Sequence, residues 1–217
     1  MLYVRQLTYG PMKNFIHLVG AAHAPEVAVI DPAWDVPGLL DETAREGKKI
    51  AAVVLTHSHE DHVNGVPELL RSHDVPVYVQ RAELAFNPHR LKDFGAALRP
   101  VDPGAQVKVG PLEVTFIHTP GHTPGSQCLH CAGALFSGDT LFVDHCGRCD
   151  FPGSDVAQMF DSLHRVLGAL PDQTTLYPGH DYGAVKVSTL ERERRLNPYL
   201  LRKELAAFSD YRLRPRS

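Results

Sequence analysis

The segment THSHEDH, residues 56–62, brings three histidines and an aspartate together within one short loop. It directly follows six consecutive apolar residues, which predict a strand buried on both faces. His57 and His59 are two residues apart, so on an extended segment they point the same way and can bind one metal ion. Asp61 and His62 stand where the chain turns into a predicted helix, displaced toward a neighbouring position. The segment therefore predicts a metal site at the carboxyl end of a central strand.

Three further segments carry metal-ligand side chains beside glycine or other small residues. They are TPGHTPGS with His122, SGDTLF with Asp139 and YPGHDYG with His180. Imidazole and carboxylate groups suit borderline and hard divalent metals. His122 would complete a first site and His180 a second, and the carboxylate of Asp139 is able to bridge them. These residues leave open whether the cluster holds one metal or two, and that number separates an oxygenase from a hydrolase.

The length and charge of the chain restrict its function classes. It has 217 residues, of which 43% are hydrophobic, and a formal net charge of −3. This length fits one large domain, and the charge gives no general attraction to nucleic acid or anionic membranes. The longest purely apolar run has six residues, far short of the roughly 20 that a membrane span needs. The N-terminal MLYVRQLTYG has no export signal. With 13 histidines, the chain is predicted to be a cytoplasmic metalloenzyme without nucleic-acid or membrane partners.

Four cysteines form two pairs with the spacing of zinc ligands, Cys128-x-x-Cys131 and Cys146-x-x-Cys149. The first pair lies on a predicted strand, where side chains three residues apart point to opposite faces. We therefore expect buried thiols in a reducing compartment rather than a structural zinc site. The sequence assigns no role to Cys146 and Cys149.

The order of predicted elements is strands first and then strands alternating with helices. A single domain over residues 1–217 is predicted, with two sheets faced by helices in an αββα sandwich and a short helical C-terminal segment at about 187–210. The predicted strands are 3–8, 14–19, 27–31, 50–55, 75–79, 112–118, 126–131, 134–136 and 175–177. The predicted helices are 35–46, 63–72, 155–170, 187–195 and 198–209.

These motifs resemble those of the metallo-β-lactamase fold superfamily over almost the whole chain. THSHEDH is the hallmark of that superfamily, and TPGHTPGS, SGDTLF and the His180 segment stand in the expected order. Within it the chain resembles the glyoxalase II branch, because His62 occupies a position that supplies a second-metal ligand. Glyoxalase II enzymes hydrolyse glutathione thioesters with two metals, and the related persulfide dioxygenases oxidise glutathione persulfide with one iron. Nucleases of the superfamily typically carry added domains for which this chain has no room.

Two segments favour the dioxygenase resemblance. The stretch from Asp144 to Phe151 resembles the CGRTDF motif of persulfide dioxygenases, with Cys149 in place of threonine. The stretch from His180 to Pro198 resembles the C-terminal segment of that family. About twenty residues follow Asn197, which leaves no space for the helical domain that supplies glutathione contacts in glyoxalase II.

The dioxygenase resemblance implies one Fe(II) per chain, bound by His57, His122 and Asp139. It implies that Arg148 and Tyr182 bind the substrate and act in catalysis, with glutathione persulfide and O2 as substrates and sulfite and glutathione as products. The neighbours that would orient ligands and water are His59, Asp61, His62 and His180. A homodimer is compatible with the family.

The alternative is a thioester hydrolase of glyoxalase II type with two Zn, Fe or Mn ions. In that assignment Asp139 serves both ions. The first ion has the further ligands His57, His59 and His122, and the second has Asp61, His62 and His180.

Overall fold

The computed structural model describes residues 1–214 and arranges them as strands with short helices. The strands are β1 (Leu2–Tyr9), β2 (Asn14–Ala21), β3 (Glu26–Ile30), β4 (Lys49–Val54), β5 (Val77–Gln80), β6 (Leu98–Val101), β7 (Gln106–Val109), β8 (Leu112–His118), β9 (Gln127–Cys131), β10 (Ala134–Gly138), β11 (Leu141–Phe142), β12 (His145–Cys146), β13 (Thr175–Pro178) and β14 (Ser188–Thr189). The α-helices are α1 (Val36–Arg45), α2 (Glu60–Val63), α3 (Val66–Leu70), α4 (Arg81–Phe86), α5 (Pro88–Leu91), α6 (Val156–Asp161), α7 (Leu190–Leu196) and α8 (Leu205–Leu213). Turns of 3₁₀-helix cover Lys92–Ala97 and Leu167–Ala169, and a π-helical turn covers Ser162–Val166.

The strands form two six-stranded sheets of mixed direction. The first has the order β1-β2-β3-β4-β5-β6, with antiparallel pairs up to β3 and parallel pairs from β3 to β6. The second has the order β14-β13-β10-β9-β8-β7, in which β10 and β13 are the parallel pair. Strands β11 and β12 make a separate small hairpin.

Three apolar layers hold these elements together. One layer joins the first sheet to α1, α3 and α5, the second lies between the two sheets, and the third joins the second sheet to α6, α7 and α8. Strand β4 shows how the sequence produces this arrangement, because Val53 packs in the outer layer and Val54 in the layer between the sheets. The predicted αββα sandwich is therefore confirmed.

The parallel strands place their carboxyl ends at one edge of the sandwich. Asp31 follows β3, His57 follows β4, Asp139 follows β10 and His180 follows β13. The connection from β8 to β9 brings His122 to the same edge. Side chains from five separate parts of the chain therefore meet there, as expected for α/β sheets, which bind ligands at the carboxyl ends of their strands.

Several predicted elements differ from the structure. The helix predicted at 63–72 is divided between α2 and α3, and the helix predicted at 155–170 continues from α6 into π and 3₁₀ turns. The helix predicted at 187–195 begins at Leu190, because Ser188 and Thr189 pair with β13 instead. The last helix begins at Leu205 rather than Pro198, since the intervening turns bury the side chain of Tyr199.

The cysteines lie as the strand geometry requires. Cys128 packs in the layer under the helices and Cys131 in the layer between the sheets, on opposite faces of β9. Burial raises the pKa of the Cys128 thiol to about 11 and that of Cys131 to about 12. These thiols are therefore protonated at neutral pH, and the pair is not arranged to share a zinc ion. No disulfide joins the four cysteines, all of which are buried.

Within residues 1–214, no helix has both the length and the hydrophobicity to cross a bilayer.

Replacing His17 with leucine is expected to make the protein less sensitive to acid. His17 is buried beside Phe136 and Tyr177, and burial lowers its pKa to about 3. In the unfolded chain a histidine titrates near 6.5, so the unfolded state binds the proton first as the pH falls. His17 should therefore cost the wild type about 2 kcal/mol of unfolding free energy at about pH 5, a cost that is absent above the unfolded pKa.

Urea denaturation of the metal-free wild type and His17→Leu proteins at neutral and acid pH would measure this difference. The variant also loses the hydrogen bond between His17 Nε2 and Gln6. This loss changes its unfolding free energy at both pH values, so it cancels when the acid-induced change is compared between the two proteins. Equal acid losses of unfolding free energy in both proteins would contradict the prediction.

Candidate metal centre

The structure brings all seven predicted ligand side chains into one cluster at the edge of the sandwich. They are His57, His59, Asp61, His62, His122, Asp139 and His180, and their facing atoms form two groups on either side of Asp139.

The first group consists of three imidazoles and one carboxylate oxygen. Nε2 of His57 lies 3.0 Å from Nδ1 of His59, and Nε2 of His122 lies 2.9 Å from the same atom. Oδ2 of Asp139 is 3.5 Å from Nε2 of His122. His57 and His59 therefore face one point, as their spacing of two predicts.

The second group consists of two imidazole nitrogens and two carboxylate oxygens around a neighbouring point. Nε2 of His62 and Nε2 of His180 are 3.1 Å apart. Oδ2 of Asp61 lies 3.5 Å from the first nitrogen and 3.4 Å from the second. Oδ1 of Asp139 lies 3.2 Å from His62 and 3.4 Å from His180. The two oxygens of Asp139 thus face different groups.

Hydrogen bonds on the outer side of the rings orient these histidines. Nδ1 of His122 donates to the carbonyl of Arg148 at 2.8 Å, and Nδ1 of His180 donates to the carbonyl of Met12 at 2.9 Å. Nδ1 of His62 bonds to Oδ2 of Asp31 at 2.9 Å. In the neutral form each of these rings carries its proton on the outer nitrogen, so its Nε2 lone pair points into the cluster, which is the tautomer that a metal ligand needs.

The donor set fits bound divalent cations. Imidazole nitrogens that face each other at about 3 Å repel unless a proton or a metal cation lies between them, and Oδ1 of Asp139 is buried without a hydrogen-bond partner among the described residues. Burial lowers the pKa of His57 and His122, and it lowers that of His59 to about 4. Burial opposes ionisation of Asp139, but His180 and His62 hold its pKa well below the usual range. Burial opposes the charged forms of His62 and His180 as well, but Asp139 raises the pKa of both rings, so bound cations must displace protons from them. Neutral imidazoles and an ionised carboxylate are the forms that bind metals.

Asp31 holds the first ligand loop in place, although in the sequence it is only the last residue of the predicted strand 27–31. Its carboxylate accepts hydrogen bonds from the backbone N–H of Thr56 at 2.7 Å and from the Thr56 hydroxyl at 2.6 Å, and it also holds His62. Asp31 has a φ of 50°, a conformation that costs free energy in a non-glycine residue. The signal available in the sequence was an aspartate directly after a buried strand.

Glu83 is a second buried carboxylate that the sequence did not reveal. It is fully buried and accepts from the backbone N–H and the hydroxyl of Ser58, from the hydroxyl of Thr123 and from the N–H of Gly125. These bonds join the loop that carries His57 and His59 to the loop that carries His122. No local pattern marks Glu83, because it lies in the short helix α4 with its partners 25 to 42 residues away.

Asn14 and Trp34 orient Asp61 in a similar way. The indole N–H of Trp34 donates to Oδ1 of Asn14 at 2.8 Å, which fixes the orientation of the amide. Nδ2 of Asn14 then donates to Oδ2 of Asp61 at 2.9 Å. Trp34 has a φ of 69°, a conformation that costs free energy in a non-glycine residue. The backbone adopts it at a position whose side chain orients Asp61 through Asn14.

Arg148 and Tyr182, the predicted substrate residues, make different contacts beside the cluster. The guanidinium of Arg148 is paired with the carboxylate of Asp150 through two hydrogen bonds of 2.9 and 2.7 Å, and it lies over the ring of Phe151. The ring of Tyr182 stacks on His180 at 4.6 Å between centroids. Burial and nearby carboxylates raise the pKa of Tyr182 to about 12, so its hydroxyl remains a donor at neutral pH.

A cavity of about 630 Å³ opens beside the second ligand group. Tyr182 and Phe142 contact His180 and also line the cavity, so they connect it to the metal centre. This volume is within the range for small-molecule sites. The other lining residues are His145, Cys146, Arg148, Asp150, Arg212, Leu213 and Arg214.

Comparison with known proteins agrees with this geometry. The family model described as the metallo-β-lactamase superfamily matches residues 11–180. The chain is 30% identical to a probable zinc-dependent hydrolase of polyketide biosynthesis, BaeB, from Bacillus velezensis, over 95% of this chain and 91% of that protein. It is 40% identical to the hydroxyacylglutathione hydrolase of Aeromonas salmonicida, over 78% of this chain and 61% of that protein. It is 31% identical to the human mitochondrial persulfide dioxygenase ETHE1, over 92% of this chain and 76% of that protein.

Two solved structures are similar over nearly the whole chain. ETHE1 from Myxococcus xanthus has a TM-score of 0.87 and 31% identity, and the match covers 99% of this chain and 92% of that one. TTHA1623, solved in a di-iron-bound form, has a TM-score of 0.76 and 32% identity, covering 91% of this chain and 100% of that one. The fold, the cluster of metal-ligand side chains and the family model lead to one conclusion. The chain belongs to the metallo-β-lactamase superfamily.

Proposed function

We propose that the protein is a metal-dependent hydrolase of thioesters that binds two divalent ions. The observation that supports this most directly is that two complete ligand groups face the two oxygens of Asp139. In the second group, His62 and His180 turn Nε2 toward oxygens of Asp61 and Asp139. Asp31 and the carbonyl of Met12 hold their outer nitrogens. Residues that merely oriented the first group would not need this arrangement. The sequence resemblance favoured one iron, and the geometry shifts our proposal to two ions.

The residues of the chain would divide between the ions as the two groups do. The first ion would have His57, His59, His122 and Asp139, and the second would have Asp61, His62, His180 and Asp139. Two such ions lower the pKa of a shared water and polarise a carbonyl group for attack. The outer hydrogen bonds from Asp31, Arg148 and Met12 would keep the rings in place while the metal charges balance the buried carboxylates.

The surroundings of the second group support a thiol-derived substrate. The cavity is large enough for a small thiol conjugate, and the Tyr182 hydroxyl can donate a hydrogen bond at its inner end. Among the relatives, the Aeromonas salmonicida protein is a hydroxyacylglutathione hydrolase. We therefore propose a thioester of glutathione or of a similar low-molecular-weight thiol as the substrate class.

Persulfide dioxygenase activity with one Fe(II) is the second candidate. The match to ETHE1 from Myxococcus xanthus, which covers nearly all of both chains, favours it. His57, His122 and Asp139 would then hold the iron, and glutathione persulfide would bind near Arg148 and Tyr182. In this candidate the other four cluster residues would orient the ligands and water.

The remaining sequence predictions stay predictions under either candidate. These are a single domain over residues 1–217, a cytoplasmic location and a homodimer.

Metal analysis combined with two assays separates the candidates. We expect two divalent ions per chain in anaerobically purified protein, and hydrolysis of S-lactoylglutathione without oxygen consumption. One iron per chain, together with oxygen uptake on addition of glutathione persulfide, would refute the hydrolase and support the dioxygenase.

Replacing Asn14 with leucine is expected to weaken the second metal site selectively. The substitution removes the N–H donor that holds Oδ2 of Asp61 and leaves the first ligand group intact. Loss of such an orienting partner typically lowers metal affinity about 10- to 100-fold. Titration of the metal-free protein with Co(II), followed by its absorption spectrum, should show a normal first equivalent and a weakened second.

Trp34→Phe is the matched control for this titration. It keeps an aromatic ring but removes the indole N–H that orients Asn14, so a smaller change in the same direction is expected. Equal weakening of both equivalents in Asn14→Leu would indicate general destabilisation and would contradict the selective role.

A further inference from the structure

Three arginines line the cavity beside the metal centre, and two of them form ion pairs with carboxylates. Arg148 is paired with Asp150, and Arg214 is paired with Asp210. Both side chains are more than half exposed. Arg212 is the third arginine of the lining. Within residues 1–214, no carboxylate oxygen lies within ion-pair distance of its guanidinium, whereas both of its neighbours in the cavity have one.

Arg212 is also the most buried of the three. It is 8% exposed and projects from α8 against the loop that follows β12. Its Nε donates to the carbonyl of Gly147 at 2.8 Å, and its guanidinium carbon lies 5.8 Å from the ring centre of Tyr199. The thiol of Cys149 is a further hydrogen-bond partner of the guanidinium. The carboxylate of Asp150 acts on Arg212 from beyond ion-pair distance, but it is already paired with Arg148. A buried cation of this kind is costly unless an anion accompanies it.

The cavity supplies the space for that anion. It extends from Tyr182, which stacks on His180, to Arg212 on α8. A molecule in it can therefore place one end at the metal centre and the other at a desolvated guanidinium. Guanidinium groups bind carboxylates and phosphates through paired hydrogen bonds.

We propose that Arg212 binds an anionic group, a carboxylate or a phosphate, at the end of the substrate remote from the reacting sulfur. The proposal rests on the proposed function in taking a thiol derivative as the substrate. It assigns specificity for anionic thiols to the C-terminal helix. Arg148 is less suited to this role, because a substrate anion would have to displace Asp150 from it.

Arg212 has a structural contact as well, and the test must separate the two roles. Gly147 precedes Arg148, whose carbonyl accepts the hydrogen bond from His122. Loss of Arg212 could therefore disturb the metal centre through this loop. A disturbed loop would affect neutral and anionic ligands equally, whereas a lost charge would affect anionic ligands alone.

The experiment measures binding of unreactive thioethers to metal-loaded wild type and Arg212→Gln proteins by calorimetry. The ligands are S-methylglutathione, with two carboxylates, S-methyl phosphopantetheine, with a phosphate, and the neutral S-methyl derivative of N-acetylcysteamine. We expect Arg212→Gln to weaken binding of at least one anionic ligand about 10- to 100-fold. Binding of the neutral ligand should be unchanged. The anionic ligand that loses affinity identifies the group as a carboxylate or a phosphate.

Arg214→Gln is the matched control, since it removes a cation that directly follows α8, lines the same cavity and is already compensated by Asp210. We expect its affinities to stay within about twofold of the wild type. Arg212→Lys, which retains the charge without the planar fork, should recover part of the lost affinity.

Three results would overturn the proposal. They are unchanged anionic binding in Arg212→Gln, an equal loss for the neutral ligand, and a wild type that binds neither anionic thioether. Because the ligands are unreactive, these results do not depend on hydrolysis. A wild type that binds them through Arg212 but cleaves no thioester would refute the proposed function alone.

Discussion

The carboxylate of Asp139 is the group on which the rest of the site depends. It lies between two sets of histidine nitrogens, and its buried Oδ1 has no hydrogen-bond donor among the described residues. A buried carboxylate is tolerated when opposite charge accompanies it. The histidines nearest to it, His62 and His180, turn their Nε2 atoms toward the same oxygen, and Asp139 raises the pKa of both rings. Divalent cations that displace these protons would balance the charge of the carboxylate while using every donor atom.

A network of hydrogen bonds around the cluster holds its charged side chains in position. Asp31 and Glu83 are buried carboxylates that accept hydrogen bonds from the ligand loops, and Asn14 holds Asp61 through a bond fixed by Trp34. Such networks are stable when every member is satisfied. Two of these residues, Asp31 and Trp34, have positive φ angles, which indicates that the fold accepts local strain to keep the ligands aligned.

The C-terminal helix connects the metal centre with the substrate cavity. Arg212 reaches from α8 to the loop whose next carbonyl orients His122, and its charge faces the cavity. One side chain thus contributes to both the order of a ligand loop and the electrostatics of the entrance. A substrate anion that met this charge would be held at a distance from Asp139, so the charge of Arg212 would orient a molecule with an anionic tail.

Local signals in the sequence were enough to predict the layer arrangement and the seven candidate metal ligands. Both depend on local signals, namely apolar runs with strand periodicity and histidines or aspartates beside glycine directly after strands. The tertiary structure decided that these side chains form two groups sharing Asp139, and it revealed Asp31, Glu83, Asn14 and Arg212. The separation in sequence explains the difference, since Arg212 meets Gly147 across 65 residues and Asn14 meets Asp61 across 47. The sequence around each of these four residues contains no motif that distinguishes it from other polar residues. Only the folded chain buries them and brings them into contact with the candidate ligands or the cavity.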